Sequence, residues 1–178
     1  MQEWRDEMQG MRRRSEDEQI RRINEFVNRR VLFESDQDIW GQKDYWATPL
    51  ETLGRGAGDC EDYAIAKYIS LRLLGIDNDK LRITYVKARI GGPRSSISEA
   101  HMVLGYYSAP DAEPLILDNL IGDIRPATSR SDLTPVFGFN SEGIWTGAGP
   151  GANPAGSATA RLSRWRDVIA RLQAEGFE

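Results

Sequence analysis

Residues 56–63 read Gly56-Ala57-Gly58-Asp59-Cys60-Glu61-Asp62-Tyr63, and they open a run in which Ala64, Ile65, Tyr68, Ile69 and Leu73 recur at helical spacing. The spacing predicts a helix over about 60–74, ended by Gly75 as its C′ residue. Ala66 and Leu71 carry apolar character around much of the circumference, so this helix should be largely buried. The period then changes. Leu81, Ile83 and Tyr85 alternate with polar residues and lead into Val86 to Ile90, which predicts a strand over 81–90. After a loop at Gly91-Gly92-Pro93, the segments 101–107 and 114–118 read as two further strands joined by a turn at 108–113. Shorter strands fit 135–139 and 143–146. A buried helix followed by an antiparallel run of strands predicts an α+β fold.

Working outward, residues 1–33 are highly charged but carry the stripe Ile20, Ile23, Val27 and Val31, widened by Phe26. Ser15 is placed to cap that helix, with Glu18 three residues on as its capping-box partner. Residues 34–58 hold the breakers Asp36, Gly41, Pro49, Gly54, Gly56 and Gly58 and read as irregular. Trp40, Tyr45 and Trp46 in this stretch are expected to pack beneath it or to line a cleft. The Gly-, Ala- and Pro-rich residues 147–160 read as a flexible linker. Beyond it, Leu162, Trp165, Ile169 and Leu172 mark an amphipathic helix within 161–178, which could dock on its own domain or on a neighbour.

The 178 residues suit one principal domain, here 1–146, large enough to bury a core without a disulfide or a metal to hold it. The net charge of −4 argues against a nucleic-acid partner, which usually requires a basic surface. No apolar run approaches the roughly 20 residues that cross a bilayer, so direct membrane insertion is not expected.

Cys60 is the only cysteine and His101 the only histidine. A lone cysteine is more often a small buried residue. Here, however, it follows a glycine turn at a helix start, where unpaired N–H groups and the helix dipole favour a thiolate and can serve an oxyanion. His101 stands at the predicted start of a strand, and Asp118 ends the next one, so antiparallel pairing can bring them side by side. A thiol nucleophile needs an imidazole to manage protons, and the imidazole needs an orienting group. Cys60, His101 and Asp118 together are therefore the candidate catalytic set. The acidic flank pulls the other way, because Asp59, Glu61 and Asp62 should raise the thiol's pKa. Asp59 and Asp62 fit an N-cap and its N3 partner. They fit equally a site for a hard cation, to which Asp36, Asp38 or Asp44 could contribute.

Gly58-Asp59-Cys60-Glu61-Asp62-Tyr63-Ala64, followed by His101-Met102-Val103-Leu104 and Leu117-Asp118-Asn119, resembles the bacterial transglutaminase-like cysteine proteinases over about Trp40 to Trp145. The acidic block with its histidine and aspartate is far more specific than a lone cysteine. The resemblance implies a papain/transglutaminase-like core, with the cysteine on a buried helix packed against an antiparallel sheet that carries the histidine and aspartate. It implies the triad Cys60, His101 and Asp118, and calcium held by Asp59, Glu61 and Asp62, which favours the metal over the cap. Hydrolysis through a thioester is expected, with the Cys60 N–H in the oxyanion hole and Trp40 or Trp46 completing it. The implied substrate is the N-terminal region of a large surface adhesin, cut near a pair of alanines to release cells from a biofilm. The implied partner is an inner-membrane receptor that senses cyclic di-GMP and sequesters the protease. The implied location is the periplasm, so a leader absent from these first residues is expected to have been removed. The same residues would also serve a transglutaminase-type acyl transferase, or a non-catalytic binding module on the same fold.

Overall fold

A computed structural model describes residues 1–147 and 153–177. Helix α1 (Gln2–Met11) is followed by α2 (Glu16–Arg30), whose N-cap Ser15 accepts from the Glu18 N–H at 3.3 Å. The N-terminal stretch is thus two helices, broken at the run of arginines before the cap. The predicted stripe of α2 (Ile20, Ile23, Phe26 and Val27) is buried.

Strand β1 (Leu32–Phe33) pairs in parallel with β2 (Ala57–Gly58). Between them lie two short helices in the stretch expected to be irregular: α3 (Asp36–Trp40) and α4 (Pro49–Arg55). Pro49 is the first residue of α4, where its missing N–H costs nothing, and Thr48 with Glu51 forms a capping box before it. Gly56 closes α4 in the left-handed region (φ 73°). Helix α5 (Cys60–Leu73) lies between α2 and the sheet, and residues 62–71 of it are buried, as its all-round apolar pattern predicts. The Tyr63 hydroxyl donates to the Val31 carbonyl at 2.6 Å and ties α5 to the end of α2.

The main sheet is antiparallel, in the order β6-β5-β4-β3-β7-β8-β9. Its members are β3 (Leu81–Arg89), β4 (Ser98–Tyr106), β5 (Leu115–Leu117), β6 (Arg125–Pro126), β7 (Leu133–Phe139), β8 (Ile144–Thr146) and β9 (Asn153–Pro154). The fold is therefore α+β, with the cysteine-bearing helix packed on an antiparallel sheet. Pro135 of β7 sits at a register shift opposite Tyr85 and Val86, where a missing N–H is tolerated. Strand β4 starts three residues earlier than expected, so His101 lies inside the strand and not at its start. Ser98, Glu99 and Ala100 are exposed and show no apolar alternation. Their pairing with Lys87, Ala88 and Arg89 makes them strand.

One face of the sheet meets α5. On the other, Val86, Val103 and Ile116 form a smaller apolar cluster with Ala127 and Leu133. That cluster seats the 127–133 segment, which carries Arg130 into the interior.

The predicted linker 147–160 differs in its described part. Asn153–Pro154 add to the sheet beside β8, and Ala158–Arg161 form helix α6; residues 148–152 lie outside the described residues. The last helix, α7 (Ser163–Ala174), docks on its own domain. Trp165 is fully buried against the Tyr68 and Phe139 rings, and its Nε1 donates to the Asn140 carbonyl at 3.1 Å. Among the described residues no helix is long and apolar enough to cross a membrane.

Candidate active site

Cys60 is the first residue of α5, where the backbone N–H has no intrahelical partner. Gly58 is needed just before it, because a Cβ there would lie 2.8 Å from Asp62 Cβ. The thiol faces β4, and the Met102 backbone N–H, next in the chain to His101, favours its ionised form. Burial, Glu61 and Asp59 outweigh that donor and push the thiol's pKa well up. Cys60 Sγ donates to Glu61 Oε2 at 2.9 Å, and so it is Glu61, not His101, that engages the sulfur here.

His101 and Asp118 do meet. The β4–β5 register pairs Leu104 with Leu117, so one further step places Asp118 diagonally across from His101, within side-chain reach. His101 Nε2 lies 2.7 Å from Asp118 Oδ1, both groups being buried, which leaves the ring's Nδ1 for another partner. Asp118 is itself held from several sides. Arg130 Nη2 donates to its Oδ2 at 2.8 Å, the Leu120 N–H to its Oδ1 at 3.1 Å, and Asn28 Nδ2 to its backbone carbonyl at 2.9 Å. Burial alone would raise this carboxyl; His101 and Arg130 overcome it and hold the pKa at about 2. Arg130 is anchored in turn by Asp132, through Nε and Nη2 at 3.0 Å each. Sequence reasoning missed Arg130, because it lies in a segment without periodicity and resembles any surface arginine. Lys67, seven residues along α5 from Cys60, is also buried; desolvation pushes its pKa down to about 7 against the pull of Asp118.

The acidic flank forms a second assembly. Asp36, Asp59 and Asp62 bring carboxylate oxygens within 4.8 Å of one another, and Glu61 lines the same pocket as Asp36 and Asp59. Of the three loop aspartates weighed, Asp36 joins the cluster. Asp38 accepts from Ser35 Oγ at 2.6 Å, and Asp44 pairs with Arg164 at 2.9 Å. Asp62 does act as a cap partner, its Oδ2 accepting from the Asp59 N–H at 3.2 Å and its Oδ1 from the Ala47 N–H at 2.8 Å. Asp59 and Asp62 thus form a capping box at the start of α5. Asp36 Oδ1 and Asp59 Oδ1 are buried with no hydrogen-bond partner. Burial first, then neighbouring carboxylate charge, raises the pKa of Asp36, Asp59 and Asp62 alike, although backbone N–H donors oppose the rise at Asp36 and Asp62. Unpaired hard oxygens that repel one another in a half-buried pocket are a donor set suited to a hard cation, so the residues fit one.

The two tryptophans considered for the oxyanion hole part company. Trp46 is a core residue stacked on Phe139, with ring centroids 5.7 Å apart. Trp40 packs on Tyr45 beneath the Arg55 guanidinium, and its Nε1 is buried without a partner.

Comparison with known proteins bears on this geometry. Residues 2–132 match the model of a family described as bacterial transglutaminase-like cysteine proteinases. Among solved structures, EGTA-treated LapG from Legionella pneumophila superposes with a TM-score of 0.81 at 36% identity, covering 95% of this chain and 86% of that one. The calcium-bound form of the same protein gives 0.79 at 36% identity, covering 95% and 87%. Curated proteins gave no significant match.

Proposed function

Because the chain belongs to the bacterial transglutaminase-like cysteine proteinases, we propose that it is a calcium-dependent endopeptidase of the periplasm that cleaves the N-terminal region of a large surface adhesin and so releases cells from a biofilm. The observation that carries the reading is the buried chain His101–Asp118–Arg130 beside a helix that begins at Cys60. In the same proposal, an inner-membrane receptor that senses cyclic di-GMP withholds the enzyme when that nucleotide is abundant.

In the reaction, Cys60 as thiolate attacks the scissile carbonyl carbon, and His101 protonates the departing amine as the C–N bond breaks, leaving a thioester. His101 then takes a proton from water, which attacks the thioester; the acid product leaves and the sulfur is restored. Asp118 orients the ring through Nε2 and stabilises the imidazolium, while Arg130 keeps Asp118 ionised. The unpaired Cys60 N–H donates to the oxyanion. The Glu61 carboxylate, accepting from Sγ, favours the protonated thiol. Calcium held by Asp59, Glu61 and Asp62, with Asp36, would supply the positive charge that offsets the carboxylates around Cys60.

Incubating the protein with an adhesin N-terminal fragment containing paired alanines tests this directly. Cleavage is expected in calcium, suppressed by EGTA and recovered when calcium is restored. Cleavage that ignores EGTA would return Asp59 and Asp62 to a purely structural role. Incorporation of an added amine into the fragment, in place of cleavage, would instead identify an acyl transferase.

A further inference from the structure

The residues that hold the acidic cluster in shape are themselves held by the C-terminal helix. The Tyr45 N–H donates to Asp36 Oδ2 at 2.5 Å, and the Ala47 N–H donates to Asp62 Oδ1 at 2.8 Å. Segment 45–48 thus fixes two of the cluster's carboxylates through its backbone. Between those two amides, the Trp46 carbonyl accepts from Arg171 Nη2 of α7 at 2.6 Å. Arg171 Nη1 donates to the Tyr45 hydroxyl at 3.0 Å and to Glu51 Oε2 at 2.5 Å, and the guanidinium lies 4.8 Å from the Tyr45 ring centroid. Glu51 in turn accepts from the Tyr45 hydroxyl (2.8 Å) and the Thr48 N–H (2.8 Å). At the far end of the segment, Thr48 Oγ1 donates to Glu175 just beyond α7, at 2.7 Å. One planar fork therefore grips a backbone carbonyl, a hydroxyl and a carboxylate at once, a task an ammonium cannot reproduce. Glu51 and Asp167 match its charge, so Arg171 adds little repulsion toward a cation nearby.

We infer that Arg171 is a positioning residue for cation binding: it fixes segment 45–48, whose Tyr45 and Ala47 amides hold the Asp36 and Asp62 carboxylates beside Asp59 and leave Asp36 Oδ1 unpaired there. This rests on the proposal that the acidic cluster binds calcium. In it, α7 is part of the metal site's supporting shell, and such supports commonly carry much of a site's affinity.

The test is calorimetric titration of calcium into the whole purified protein, with a thermal melt in EGTA for each variant. Wild type is expected to bind calcium, and Arg171→Met to bind it about 10- to 100-fold more weakly. Arg171→Lys should fall between them. Val168→Ala, a buried truncation on the same helix, should lower Tm yet keep wild-type calcium affinity. Wild-type affinity in Arg171→Met would overturn the inference. So would a Val168→Ala variant whose affinity falls as far for the same loss of Tm, since the effect would then be general loosening. Should Arg171→Met fail to fold, Arg171→Lys decides, and affinity equal to wild type in that variant overturns the inference. A wild-type protein that binds no calcium overturns the calcium proposal itself, and this inference with it.

Discussion

Replacing Cys60 with alanine is expected to lower kcat/KM for adhesin-fragment cleavage by on the order of 10⁴–10⁶-fold, the scale seen when a nucleophile is removed from a catalytic unit. The substitution removes one sulfur from a half-buried helix start, so the fold and Tm should change little. Cys60 is the only cysteine, and so no second thiol can take over. A time course of fragment cleavage with matched circular dichroism checks both halves. Cleavage by the folded variant at a rate near wild type would remove Cys60 from the chemistry.

The second large effect concerns stability. Arg130→Met should cost about 3–5 kcal/mol, because it strands the buried Asp118 carboxylate without its cation. Both side chains are essentially inaccessible, at 1% and 0% exposure, so water cannot replace the guanidinium. Denaturant unfolding measures the cost, and a loss below about 1 kcal/mol would show the pair to be dispensable. A pH dependence accompanies it. Asp118 is held at about 2, below the ordinary unfolded value of roughly 3.9, so its contribution is complete above about pH 4 and is lost as the pH falls through 2. Without Arg130 the folded-state value rises, and the acid loss should begin at higher pH.

Much of this arrangement was legible in the sequence, and the parts that were not share physical causes. Helix α5 and strand β3 announced themselves because their side chains face a core on a regular period. The short helices α3 and α4 did not, since five to seven residues complete too few turns to show a stripe. Their signal lay in the caps instead: Thr48-Pro49 with Glu51 spells a helix start that the surrounding glycines and the proline disguised as irregular chain. His101 and Asp118 could be paired from strand order, because antiparallel neighbours fix relative register. Arg130 and Arg171 could not be identified, because their roles depend on partners 12 and more than 100 residues away along the chain. Asp36 was one of three equal candidates until the fold set it beside Asp59, bonded Asp38 to Ser35, and paired Asp44 with Arg164 at the rim of the same pocket. Of the two roles weighed for the acidic flank, capping is visible in the bond from the Asp59 N–H to Asp62, while the unpaired Asp59 oxygen is what the proposed cation would engage.

The proposed chemistry requires that Cys60 become a nucleophile when its acidic neighbours are neutralised. Burial, Glu61 and Asp59 favour the protonated thiol; the proposed cation would offset the two carboxylates and leave the Met102 N–H to favour the thiolate. The most direct measurement is the rate of iodoacetamide alkylation at Cys60, followed by intact mass across pH 6–10 in calcium and in EGTA. Alkylation at pH 7 is expected to be at least ~10-fold faster in calcium, the effect of one pKa unit or more, with the gain lost in His101→Gln. Equally slow alkylation in both conditions, rising only in the alkaline range, would contradict it.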